Sequence, residues 1–340
     1  MHDTIDITVV LPVFNAEATV LSAVDSLDVR PGDSTEVLVV DDGSTDGTAE
    51  LLDEAAAARP WMRVEHTSHQ GLVHALHVGL GAARGSYIAR MDADDVSLPG
   101  RLLWQKDYLD AHPEIGVVSG QVRFGGDTEA SRGYALHVDW LNALHTPEDI
   151  SLSRFIEAPV AHPSVMFRRR LVETHGGYTK GEYPEDYELW LSWMDAGVRF
   201  GKVDAPVLLW NDSPTRLSRT DSRYSSEAFY AIKARYLARW LERHARTWPE
   251  VIVWGAGRAT RKRAALLEQY GARITAWVDI DTHKTGQTIQ GVPVILPTQL
   301  PSPDRCFVLP YVGSRDAREL ITAWLEENGY MLGGSYIPAA

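Results

Sequence analysis

Three carboxylates, Asp92, Asp94 and Asp95, fall within four positions at the end of the run Tyr87-Ile88-Ala89-Arg90-Met91. Side chains so close repel one another unless a cation joins them. An all-oxygen donor set selects a hard divalent ion, and Mg²⁺ or Mn²⁺ fills its shell from one or two carboxylates plus oxygens of a bound phosphate. An isolated D-x-D is also an ordinary acidic turn after a strand, so the chemistry depends on what else reaches the same place.

Two earlier segments repeat the pattern of apolar strand followed by polar turn. Residues 7–11 read as a buried strand that stops at Pro12 and leads through Val13, Phe14, Asn15 and Glu17 into an amphipathic helix; residues 36–40 end in Asp41-Asp42-Gly43-Ser44-Thr45-Asp46-Gly47. In an open α/β sheet ligands bind outside the carboxyl ends of the strands, so the three turns converge on one crevice. Helices are expected near 46–58, 70–83 and 99–111. This alternation predicts a mostly parallel central sheet flanked by helices. Residues 121–150 lose the periodicity and read as a loop-rich insertion.

A helical pattern over 222–247, with Tyr224, Phe229, Ile232, Tyr236, Leu237 and Trp240, reads as a connecting helix packed on the preceding domain. The chain restarts after Trp248-Pro249. A strand over 251–254, a Gly255-Ala256-Gly257 turn, a helix over 261–270 and a strand ending before Asp279 form a Rossmann-like beginning, with Thr260 where a third glycine would stand. Short strands at 291–294 and 307–310 and a closing helix over 314–327 complete it. The expected domains are 1–220, 221–248 and 249–340.

Composition agrees. The 340 residues are 44% apolar, enough for two cores, and a net charge of −13 argues against nonspecific nucleic-acid binding. A single cysteine, Cys306, excludes a disulfide framework and fits a reducing compartment. No signal peptide precedes the first strand, and no apolar run reaches the length of a membrane span. A soluble, cytoplasmic protein is expected, peripheral at most to the inner face of a membrane and open to self-association.

The motifs P-V-F-N at 12–15, V-V-D-D-G-S-T-D-G-T at 39–48, Q-G-L-V-H-A-L-H-V-G-L at 70–80, A-R-G-S-Y-I-A-R-M-D-A-D-D at 83–95 and L-P-G-R-L at 98–102 resemble those of family 2 glycosyltransferases of the GT-A fold. H-P-S-V-M-F-R-R at 162–169, G-G-Y at 176–178 and Y-P-E-D-Y-E-L-W-L at 183–191 resemble the acceptor half of the same family. The likeness spans roughly residues 5–225.

That resemblance implies transfer of a sugar from a nucleotide diphosphate, UDP by the habit of the family, to a carbohydrate, lipid-linked or protein acceptor, in polysaccharide, glycolipid or glycoprotein assembly. Asp94 and then Asp92 are the implied metal ligands for Mn²⁺ or Mg²⁺. Pro12, Val13, Phe14 and Asn15 would wall the nucleotide, Glu17 would reach the ribose and Asp41 the base. Asp42, Arg90 and Ala93 complete the donor site, and Arg216 and Arg219 would close over the diphosphate as a lid. Asp186 would be the general base, with Glu185 beside it. One base without a second nucleophile implies inversion. His162 and Trp190 would meet the acceptor.

Most of these positions also have local structural readings. Asp95 could cap the helix opening near Leu98; Asp42, Ser44 and Asp46 are ordinary turn and cap residues. Two other function classes fit parts of the chain: a catalytically inactive sugar-binding scaffold, and a nicotinamide-dependent oxidoreductase resting on Gly255 and Gly257 alone.

Overall fold

The computed structural model describes residues 5–213 and 216–340, and the chain divides into two compact units. The first holds the residues up to Ser151 together with Pro159–Gly181 and Ala196–Thr220; the second holds Leu152–Ala158, Glu182–Asp195 and Asp221–Ala340.

The first unit is built on β1 (Ile7–Val13), β2 (Thr35–Asp41), β3 (Met62–His66), β4 (Tyr87–Arg90), β5 (Val96–Ser97), β6 (Ile115–Phe124), β7 (Met166–Arg168) and β8 (Arg199–Trp210). They form one mixed, mostly parallel sheet in the order β3-β2-β1-β4-β7-β6-β8-β5. β7 is antiparallel to both β4 and β6, and β5 is antiparallel to β8. β1 is buried at every position because both faces of the sheet are covered. Along β2, Val37 and Val39 enter one core with Val9, Leu11 and Val13, whereas Leu38 and Val40 pack with Ala75 on the opposite face. This two-residue alternation is the pleat itself.

β1 runs through Pro12 to Val13 instead of stopping at the proline. Val10 accepts from Met91 N–H on the β4 side, and Val13 accepts from Asp42 N–H on the β2 side. By alternation Pro12 faces β4, beyond the last β4 pair, Val10 with Arg90, so its missing N–H breaks no ladder bond. The registers Val13 to Asp41 and Val10 to Arg90 bring the carboxyl ends of three strands together.

The expected helices are present as Thr48–Ala58, Leu72–Ala82 and Arg101–Ala111. The expected loop over 121–150 is instead the end of β6, a helix Arg132–Asn142 and a helix Pro147–Ser153. Gly133 in its first turn and an inward face of only Val138 and Leu141 hide the first of these from pattern reading.

The second unit carries β9 (Glu250–Trp254), β10 (Arg273–Val278), β11 (Thr288–Ile289), β12 (Val292–Ile295) and β13 (Val308–Pro310), in the order β11-β12-β10-β9-β13. All pairs are parallel except β11 with β12. The long helix is Ser226–His244, and its Ile232, Tyr236, Leu237 and Trp240 share a core with Val251, Val253 and Leu309. Tyr224 stands outside it, in a 3₁₀ turn. After Gly257 the α-helix is Arg258–Ala264, continued by a 3₁₀ segment Ala265–Tyr270.

Candidate active site

The turn leaving β4 gathers the three carboxylates: one oxygen each of Asp92, Asp94 and Asp95 lies within 4.8 Å of the others. Asp95 Oδ1 accepts from Asn211 N–H at 2.8 Å, while its Oδ2 is buried without a hydrogen-bond partner. Burial, followed by the charge of Asp92, raises the Asp94 carboxyl above its ordinary range. Burial and the charges of Asp92 and Asp94 raise Asp95 well above it. A hard divalent cation would relieve all of this at once, and the oxygen-only donor set fits Mg²⁺ or Mn²⁺. Asp95 is not a helix cap: the next helix starts at Arg101 behind Gly100, with no side-chain cap.

Two buried guanidinium groups support this turn. Arg90 donates to Asp92 Oδ1 at 2.6 Å, to the Met91 carbonyl and to His162 Nε2 at 3.3 Å. Burial, then the Arg90 charge, pushes His162 well below its usual value, so that Nε2 is a neutral acceptor, 2.6 Å from the Tyr178 hydroxyl. His162 is 7% exposed and braces Arg90, where the sequence suggested an acceptor contact.

Arg101 donates to the Arg90 carbonyl at 2.6 Å and to Gln105 Oε1 at 3.1 Å, and Gln105 donates to the Ser164 carbonyl at 2.7 Å. Sequence reasoning missed both as functional residues. The available signal was an inverted helix: Arg101, Gln105 and Leu109, four apart, face inward, while Leu103 and Trp104 are exposed.

The turns after β1 and β2 are stitched together. Asn15, at φ 50°, accepts from Thr45 N–H at 2.8 Å and donates its own N–H to Ser44 Oγ at 2.9 Å. Glu17 accepts from Gly47 N–H at 3.1 Å. Asp41 accepts from Ser44 N–H at 3.0 Å and meets His66 Nδ1 at 3.0 Å. Asp42 accepts from Gln70 N–H at 3.0 Å and Gly71 N–H at 2.8 Å, tying down the start of the helix Leu72–Ala82. Pro12 and Val13 are buried, and Ala93 packs against the same core. Phe14 is 44% exposed and stacks on His69 at 4.1 Å between ring centroids, an open aromatic surface at the rim.

Of the expected lid, Pro214 and Thr215 lie outside the described residues. The Arg216 guanidinium sits 4.4 Å from the Trp210 ring centroid, its Nη1 is buried without a partner, and its charge is felt by Asp94 and Asp95. Arg219 is engaged differently: it donates to Asp212 at 2.6 Å and to Ser131 Oγ at 3.1 Å and covers the Tyr134 ring.

Glu185, Asp186 and Trp190 lie on the second unit, in the helix Glu185–Asp195. Glu185 is buried and accepts from the Tyr224 hydroxyl at 2.7 Å, a partner that sequence reading assigned only to packing. Asp186 is partly exposed on the first turn, where Oδ1 accepts from Tyr187 N–H at 2.7 Å. Trp190, which the sequence offered as an acceptor contact, is fully buried beside Trp193.

A family model described as glycosyl transferase family 2 matches residues 8–176. The putative glycosyltransferase EpsE of Bacillus subtilis is 29% identical over 225 residues, covering 64% of this chain and 77% of that protein. The amylovoran biosynthesis glycosyltransferase AmsE of Erwinia amylovora is 30% identical over 193 residues, 56% of this chain and 70% of that protein. Among solved structures, S. aureus TarS 1-349 in complex with UDP-GlcNAc superposes with a TM-score of 0.55 at 17% identity, covering 78% of this chain and 71% of that one, a likeness of fold.

Proposed function

Because this chain belongs to glycosyl transferase family 2, we propose that it moves a sugar from a nucleotide diphosphate, UDP first among candidates, to an acceptor hydroxyl with inversion. The observation that carries this reading is the trio of carboxylates at the end of β4, with the buried, unpartnered Oδ2 of Asp95, beside the ends of β1 and β2.

Asp94 and Asp92 would hold a divalent ion, Mn²⁺ or Mg²⁺, which when bound neutralises charge growing on the departing diphosphate. Arg90 fixes the Asp92 carboxylate for that task. Phe14 offers a ring to the nucleotide base, Glu17 and Asp41 offer carboxylates to ribose and base, and Arg216 supplies a guanidinium to the diphosphate. Asp186 takes the proton from the acceptor hydroxyl, with Glu185 held beside it by Tyr224. The likeness to AmsE supports a place in polysaccharide biosynthesis. No helix among the described residues is long and apolar enough to cross a membrane, in keeping with work at the cytoplasmic face.

The test is incubation with a panel of UDP-, GDP- and dTDP-sugars and Mn²⁺, scoring free nucleoside diphosphate and transfer to candidate glycans. Binding of nucleotide sugars without turnover across the panel would favour the scaffold reading. Tight NAD binding would revive the oxidoreductase.

A further inference from the structure

Beneath the carboxylates, Arg101 makes a choice of partners that its charge does not explain. Its three side-chain hydrogen bonds among the described residues go to neutral acceptors: the Gln105 amide, Met91 Sδ and the Arg90 carbonyl. A fully buried cation is costly without a countercharge. Compensation reaches it through space, first from Asp95 and then from Asp92, and the neighbouring Arg90 opposes it. None of these acceptors offsets the charge that the guanidinium brings into the interior.

We infer that Arg101 is a positioning and charge-compensating residue that, together with Arg90, cancels most of the negative charge of Asp92, Asp94 and Asp95, so that the divalent cation enters with the donor's diphosphate and not alone. With all three carboxylates ionised, as ligation of a cation requires, the two buried guanidinium groups leave one net negative charge. A divalent ion by itself would bring the sum to one net positive charge, and an arriving diphosphate removes that imbalance. Arg216, felt by the same carboxylates, adds to it. The inference rests on the proposed donor role.

Mn²⁺ binding to the full chain, read from the electron paramagnetic resonance of free Mn²⁺ with and without UDP, GDP or dTDP, tests it. The wild type should bind Mn²⁺ at least about tenfold more tightly with its nucleoside diphosphate, the scale of a unit charge at several ångströms near a protein surface. Arg101→Gln should tighten binding of Mn²⁺ alone by about the same factor and shrink the nucleotide's effect. Arg101→Lys keeps the charge and should keep the wild-type pattern. Unchanged metal-only affinity in Arg101→Gln overturns the inference. So does a wild type whose Mn²⁺ affinity ignores a nucleotide that binds, a comparison that stands even where the Gln variant does not fold. Failure to bind any of the three nucleotides, with or without metal, overturns the donor reading and this inference with it.

Discussion

Nδ1 of His66, the last residue of β3, lies 3.0 Å from Oδ2 of Asp41, the last residue of β2, and the same ring reaches Asp53 at 3.2 Å through Nε2. The Asp41 contact first, with Asp53 adding to it, raises the imidazole above its usual value. A raised folded value means that the charged pair stabilises the protein fully below the unfolded value near 6.5 and loses that contribution as pH rises through the folded one. Titration of His66 by NMR should show the upward shift, and Asp41→Asn should remove most of it. The half-open setting keeps the effect on stability small. An unshifted His66 would break the pairing that orients Asp41.

Asp94→Ala should lower transfer by at least about 10²-fold, the scale of one lost electrostatic stabiliser, and leave the melting temperature close to wild type. EDTA should abolish transfer, with recovery on adding Mn²⁺ or Mg²⁺. Full turnover in the chelator would remove the metal from the mechanism.

Asp186→Asn keeps the shape of the side chain and removes proton acceptance. Turnover should fall by about 10²-fold or more while nucleotide affinity, followed by calorimetry, stays near wild type. A variant with ordinary turnover would send the search for the base elsewhere.

Tyr224→Phe withdraws a hydroxyl from the buried Glu185 carboxylate. Denaturant unfolding should show a loss of about 1.5–3 kcal/mol, the range for a hydrogen bond to a charged group. No loss would mean that Glu185 is held without it.

The strand ends that carry the site were legible because two-sided burial writes β1, β2 and β4 as largely apolar runs, each followed by polar turn residues. What remained hidden was polar burial. Arg101 and Gln105 look like surface residues on a helix, because hydrophobic periodicity has no term for polar side chains turned inward, where Arg101 donates to the Arg90 carbonyl and Gln105 to that of Ser164. Asp42 and Asp41 are adjacent acids in one turn, yet one anchors a helix start and the other a histidine, a distinction set by residues 25 to 29 positions away. Trp190 is the opposite case: its helix buries eight of its eleven residues, so an aromatic there also has a packing role that pattern reading cannot separate from binding.

β7 reverses the direction of the sheet, and this has a consequence for how such a site diversifies. Its first residue, Met166, pairs with Ala89 near the end of β4, so the turn that enters β7 with His162 meets the turn that leaves β4 with the acids. The meeting is fixed by strand register, from Val165 C=O accepting Arg90 N–H to Arg168 opposite Tyr87. The chain between Phe124 and His162 can therefore change length without altering the strand register that sets His162 beside Arg90, the residue that holds the Asp92 carboxylate.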